Sequence, residues 1–65
     1  MSELEYRILI AIKEYKEYYK KLPDISFISN RIMYSKQSTR YHLKKLEKMN
    51  LIVKHDKTYD LKVNI

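Results

Sequence analysis

Leu4, Ile8, Ala11, Ile12, Tyr15 and Tyr19 recur every three or four residues. At about 100° per residue that spacing lines them along one side of an α-helix. The pattern predicts a helix over about residues 3–21. Ser2 and Glu5 have the Ser-x-x-Glu spacing of a capping box, in which each side chain satisfies a free backbone amide at the helix start. Glu3/Arg7 and Glu17/Lys21 fall at i,i+4 on the outer side, Lys20 and Lys21 complement the negative end of the helix dipole, and Pro23 marks the stop. Asp24 is the expected N-cap of a second helix over about 25–33, with Ile25, Ile28 and Ile32 turned inward. Ser35 then caps a third, over about 36–49, whose core edge is Thr39, Leu43 and Leu46. Asn50 suits the left-handed position after its last turn, with Leu51 folding back on Leu46. Beyond it the period changes to two. Leu51-Ile52-Val53-Lys54 and Thr58 to Val63 are β-branched and aromatic, the second run alternating inward Tyr59, Leu61 and Val63 with polar neighbours. A hairpin over about 51–64 follows, with His55-Asp56-Lys57 at its tip. The expected class is α+β and mainly helical, with residues 1–65 forming one domain.

Composition narrows what such a domain can be. A chain of 65 residues buries only roughly 60% of the surface it exposes when unfolded, so its core is thin. Without cysteine there are no disulfides or thiolate metal sites to brace it, which leaves oligomerisation as the expected external support. Glycine is also absent. Phosphate-cradling nucleotide loops are therefore excluded, and left-handed backbone positions are expected to fall to Asn or Asp. No apolar run approaches a membrane span, and the acidic start Met1-Ser2-Glu3-Leu4-Glu5 does not read as a signal peptide. A soluble cytoplasmic protein with no membrane association is the expectation.

The charge is placed rather than spread. Residues 1–30 carry five basic and five acidic side chains and residues 58–65 one of each, so the whole net charge of +6 lies between Arg31 and Lys57. Inside that window, Gln37, Tyr41, Lys44 and Lys48 cluster within about 60° on the side of the third helix opposite Thr39, Leu43 and Leu46. Duplex DNA is the partner such a surface fits. The run Ser35-Lys36-Gln37-Ser38-Thr39-Arg40-Tyr41-His42-Leu43-Lys44-Lys45-Leu46-Glu47-Lys48-Met49-Asn50-Leu51-Ile52 resembles the pattern of the MarR, ArsR and Lrp-like transcription regulators. In those winged helix-turn-helix domains a Ser/Thr-rich turn leads into a helix ending His-Leu-x-x-Leu and then a short apolar strand. Met33 and Asn50 stand where that pattern usually has Gly. The resemblance implies recognition-helix contacts at Lys36, Gln37, Arg40, Tyr41 and Lys44, and wing contacts to the minor groove or backbone at Lys54, His55 and Lys57. Arg40 offers bidentate donors for guanine and Gln37 pairs in two ways with adenine, so these two are expected to read sequence. Tyr41 suits a thymine methyl or a phosphate. Lys44, Lys45, Lys48, Arg31 and Ser38 suit phosphates, which position the protein without specifying sequence.

Other chemistry finds little support in the residues. His42 borders the apolar stripe and reads as packed or phosphate-bonding, His55 sits alone in a turn, and the eight carboxylates are scattered, each with a cap, ion-pair or turn explanation. No enzyme, metal site, cofactor or small-molecule ligand is expected. Of the seven tyrosines, Tyr15, Tyr19 and Tyr59 fall at core positions. Tyr6, Leu9 and Ile10 lie away from the main stripe of the first helix, and with Phe27 of the second they form the expected interface of a homodimer. The expected function is sequence-specific regulation of transcription on duplex DNA, most simply repression by occupying a promoter. A protein–protein adaptor and a non-specific architectural DNA binder are the alternatives.

Overall fold

A computed structural model describes residues 2–65. The elements run α1 (Glu3–Tyr19), α2 (Ile25–Ile32), α3 (Lys36–Lys48), β1 (Ile52–His55) and β2 (Thr58–Leu61). Three helices followed by an antiparallel hairpin are the layout of a winged helix-turn-helix domain, mainly helical α+β.

Each helix starts where a side chain supplies the missing backbone partner. Ser2 Oγ accepts from the Glu5 amide and the Glu5 carboxylate accepts from the Ser2 amide, which closes the expected capping box. Asp24 accepts from the Phe27 amide and Ser35 Oγ from the Ser38 amide. The helix ends are more surprising. α3 closes on Asn50 at φ 61°, with the Leu51 amide donating to Leu46 O and the Asn50 amide to Glu47 O. α2 closes in the same way on Met33, at φ 63° and ψ 41°, with Tyr34 N donating to Ser29 O and Met33 N to Asn30 O. α1 stops two residues earlier than its charge pattern predicts, because Lys20 itself turns left-handed at φ 58°. Left-handed positions thus fall to Lys20 and Met33 as well as to Asn50 and Asp56, which corrects the expectation that only Asn or Asp would fill them. Lys20 and Met33 are tolerated because helix-ending hydrogen bonds form around the turned residue, and Met33 is 86% exposed.

Ile8, Leu9 and Ile12 of α1, Ile28 and Ile32 of α2, Leu43 and Leu46 of α3, and Ile52 and Tyr59 of the hairpin form one core. Leu9 is only 1% exposed, so it cannot serve the dimer interface assigned to it. α1 packs against α2, α3 and β2 together, and its buried surface is therefore wider than a single stripe. Phe27 is likewise half-buried, its ring 4.5 Å from that of Tyr15. Of the expected interface, Tyr6 is exposed and Ile10 half-buried beside Arg7, Ala11, Arg31 and Ile32. Tyr59 is buried as expected, whereas Tyr15 is only half-buried and Tyr19 half-exposed, and the Tyr19 ring packs against those of Tyr15 and Tyr18 outside the core.

β1 and β2 pair in the register Ile52↔Leu61 to His55↔Thr58 around a turn on Asp56 and Lys57. The strands end at Leu61, so Val63 is half-buried but lies outside the sheet. An isolated bridge joins Asp24 to Thr58, and the Tyr59 amide donates to Pro23 O at 3.0 Å. The hairpin is thereby fixed to the loop between α1 and α2. Lys16 Nζ adds a 2.6 Å contact to Asp60, and the lysine holds that carboxyl below its ordinary range. Lys13 pairs with Glu17 at 3.1 Å and Arg7 donates to the Ile32 carbonyl at the end of α2. These contacts stand in place of the expected Glu3/Arg7 and Glu17/Lys21 pairs. Among the described residues, no helix is long and apolar enough to cross a membrane.

Candidate nucleic-acid interface

α3 turns Thr39, Leu43 and Leu46 into the core and leaves Lys36, Gln37, Ser38, Arg40, Tyr41, Lys44, Lys45 and Lys48 exposed. Gln37, Tyr41, Lys44 and Lys48 form its outward crest, with Tyr41 63% exposed. None of these four has a side-chain hydrogen bond or ion pair to any described residue. Their donors face solvent and are free for a ligand. Thr39 shows why the helix can bury a hydroxyl on its inner side, since Oγ1 donates at 2.8 Å to the carbonyl of Ser35, the N-cap of α3.

The two flanks of α3 differ. On the α1 side the Glu5 side chain is only 2% exposed, yet it carries a carboxylate. Its Oε2 lies 3.2 Å from His42 Nδ1 and 3.3 Å from Lys45 Nζ, while Oε1 accepts from the Ser2 amide. Burial pushes this carboxyl up, but the hydrogen bonds from His42, Ser2 and Lys45 outweigh it and bring the pKa from 4.5 down to about 2. An ionised carboxylate only accepts, so Nδ1 of His42 carries the hydrogen in this contact. Lys45, expected on a phosphate, is thus engaged with Glu5 beneath the helix. Glu5 carries this mount, and reading the sequence identified it only as a capping residue. Its signal was the i,i+4 spacing of Glu5 and Leu9, a second inward edge of α1.

On the other flank Arg40 lies about 70° round the helix from the middle of the crest. It lines a cleft with Asp24, Ile25 and Ser26 at the start of α2 and with Lys54, Lys57 and Tyr59 of the hairpin. Lys54 faces Tyr59 across the strands, its ammonium 5.9 Å from the ring centre. At the tip His55, Asp56 and Lys57 are exposed, and the His55 carbonyl accepts from the Thr58 hydroxyl. All the predicted contact residues except Arg31 thus lie on α3 or the hairpin, and of these Lys45 is engaged with Glu5 on the opposite flank. Arg31 Nη2 instead pairs with Glu14 at 2.9 Å, which directs it to α1.

Among the described residues, no three His, Cys, Asp or Glu side chains are grouped as metal ligands would be. Comparison with protein-family models and with curated proteins finds no match to this chain.

Proposed function

We propose that this protein is a transcription regulator, most simply a repressor, that binds duplex DNA in a sequence-specific manner. α3 enters the major groove, and the hairpin acts as a wing on the minor groove or backbone. The observation that carries this reading is the unpaired crest of α3: Gln37, Tyr41, Lys44 and Lys48 stand exposed on a helix whose opposite edge is fully buried. A helix fits the width of the major groove, and amide, phenol and ammonium groups on its outer edge match base edges and phosphates. Gln37 and Tyr41 meet bases, Lys36 and Lys44 meet bases or phosphates, Lys48 meets phosphates, and Arg40, Lys54 and Lys57 approach from the wing side. The Cα extents are 26 × 23 × 22 Å, shorter than the roughly 34 Å between half-sites one helical turn apart. Two copies therefore fit side by side, one on each half of a near-palindromic site, and the proposal includes such a pair.

Selection of bound duplexes from a random pool, followed by titration of the selected and random sequences at several salt concentrations, tests it. The expected result is a preference of at least about a thousandfold for one sequence family. Equal affinity for all duplexes would replace the regulator with an architectural binder. No binding at low salt would remove DNA as the partner and leave the adaptor reading.

A further inference from the structure

We propose that the cleft between α3, the wing and the first turn of α2 is an oxyanion site that takes one phosphate group, and that Arg40 belongs to this site and not to base reading. The cleft encloses about 310 Å³. Arg40, Lys54 and Lys57 line it, against one carboxylate, Asp24, which already accepts the Phe27 amide as the α2 N-cap. Ser26 and Tyr59 add hydroxyls. Arginine and lysine donate and never accept, so apart from Asp24 the wall offers mainly donors, the complement of an acceptor-only ligand.

Tyr59 points independently to a ligand. Its side chain belongs to the core and the residue is only 4% exposed, yet its hydroxyl bonds to no described residue. No sealed side-chain oxygen or nitrogen among the described residues lacks a partner. The Tyr59 hydroxyl is therefore not sealed off, a single polar atom at the end of a buried ring of a residue that lines the cleft. Burial and the nearby Glu47 carboxylate push its ionisation up from 10.0, against the opposing charge of Arg40, so the hydroxyl keeps its proton at neutral pH. The site is also built on fixed backbone. The Asp24–Thr58 bridge and the Tyr59 amide to Pro23 O bond join the wing to the start of α2, so its walls are held by backbone hydrogen bonds and not by loop side chains alone.

The phosphate can belong to the DNA backbone or to a free phosphorylated small molecule, and only the first source rests on the function proposed above. Two measurements on the whole chain distinguish them. In the first, inorganic phosphate is titrated into labelled protein at constant ionic strength, with chloride as the control, and shifts of the Ser26, Arg40, Lys57 and Tyr59 signals are followed by NMR. Saturable shifts confined to these residues, weakened about tenfold by Arg40→Gln and severalfold by Tyr59→Phe, are expected. In the second, single phosphates of a bound duplex are replaced by neutral methylphosphonate. If the DNA backbone is the source, one replacement lowers affinity by about the same factor as Arg40→Gln, and the two together cost no more than either alone.

Saturable phosphate binding with no such coupled position assigns the site to a small phosphorylated ligand. It does so equally if the chain binds no DNA, in which case the regulator reading fails while the cleft stands. The proposal falls if phosphate shifts nothing in the cleft beyond the chloride control and no phosphate of the duplex couples to Arg40. It also falls if Arg40→Gln relaxes the preference at one base pair, which would return Arg40 to base reading and leave the regulator intact.

Discussion

Glu5 ties α3 to the start of α1 through His42 and Lys45. A carboxylate 2% exposed is tolerated here because His42, Lys45 and the Ser2 amide all donate to it. Its folded pKa of about 2 lies below the ordinary 4.5. The depressed value means the stability it contributes is present above pH 4.5 and disappears as the pH falls towards 2. The linked contribution is at most about 3 kcal/mol. Glu5→Gln is therefore expected to destabilise by about 1–3 kcal/mol at pH 7, with the gap from the parent shrinking near pH 2.5. Urea unfolding at both pH values checks this, and an equal gap at both would show that the charge of Glu5 contributes nothing. Met33 is the opposite case, a side chain that contributes little at a backbone position that favours glycine. At φ 63° a Cβ costs roughly 1 kcal/mol, so Met33→Gly is expected to raise the midpoint of thermal unfolding by about 4–8 °C. A lowered midpoint would mean that the exposed methionine packs usefully after all.

Each element shows which information is local and which is not. The caps at Ser2, Asp24, Ser35 and Asn50 are readable in the sequence because a cap is made within four residues. The crest of α3 is readable for a similar reason, since Thr39, Leu43 and Leu46 set the phase of the helix and so determine what lies opposite. Leu9, Glu5 and Lys45 are not readable this way, because their burial or pairing requires α3 to lie across a second edge of α1. The αL turns at Lys20 and Met33 are equally hidden, as neither residue type favours that conformation. For α3 itself, two substitutions separate its tasks. Gln37→Ala is expected to cost about 1–3 kcal/mol on the preferred duplex and to relax the choice at one base pair, while Lys48→Ala weakens all duplexes alike. Binding to a set of single-base variants decides it, and identical patterns for the two substitutions would mean that Gln37 reads no base.

At the scale of the molecule, the net charge of +6 matters through where its cations are free. Arg31, Lys45, Lys16 and Lys13 are paired within the fold, whereas of the cations without an ion-pair partner among the described residues Lys36, Arg40, Lys44, Lys48, Lys54 and Lys57 belong to α3 or the hairpin, against Arg7, Lys20, Lys21 and Lys62 outside them. A copy that places four to six of these on phosphates displaces a counterion for each, which gives log K against log salt a slope of about −4 to −5. Two copies on adjacent half-sites double that. The slope and the stoichiometry must then agree: about −4 to −5 with one chain per duplex, and about −8 to −10 with two. Fluorescence titration over a range of salt, with stoichiometry from sedimentation of the complex, measures both. A slope shallower than about −2 with two chains bound would show that the free cations lie away from the backbone, and the docking of α3 and wing on one duplex would have to be abandoned.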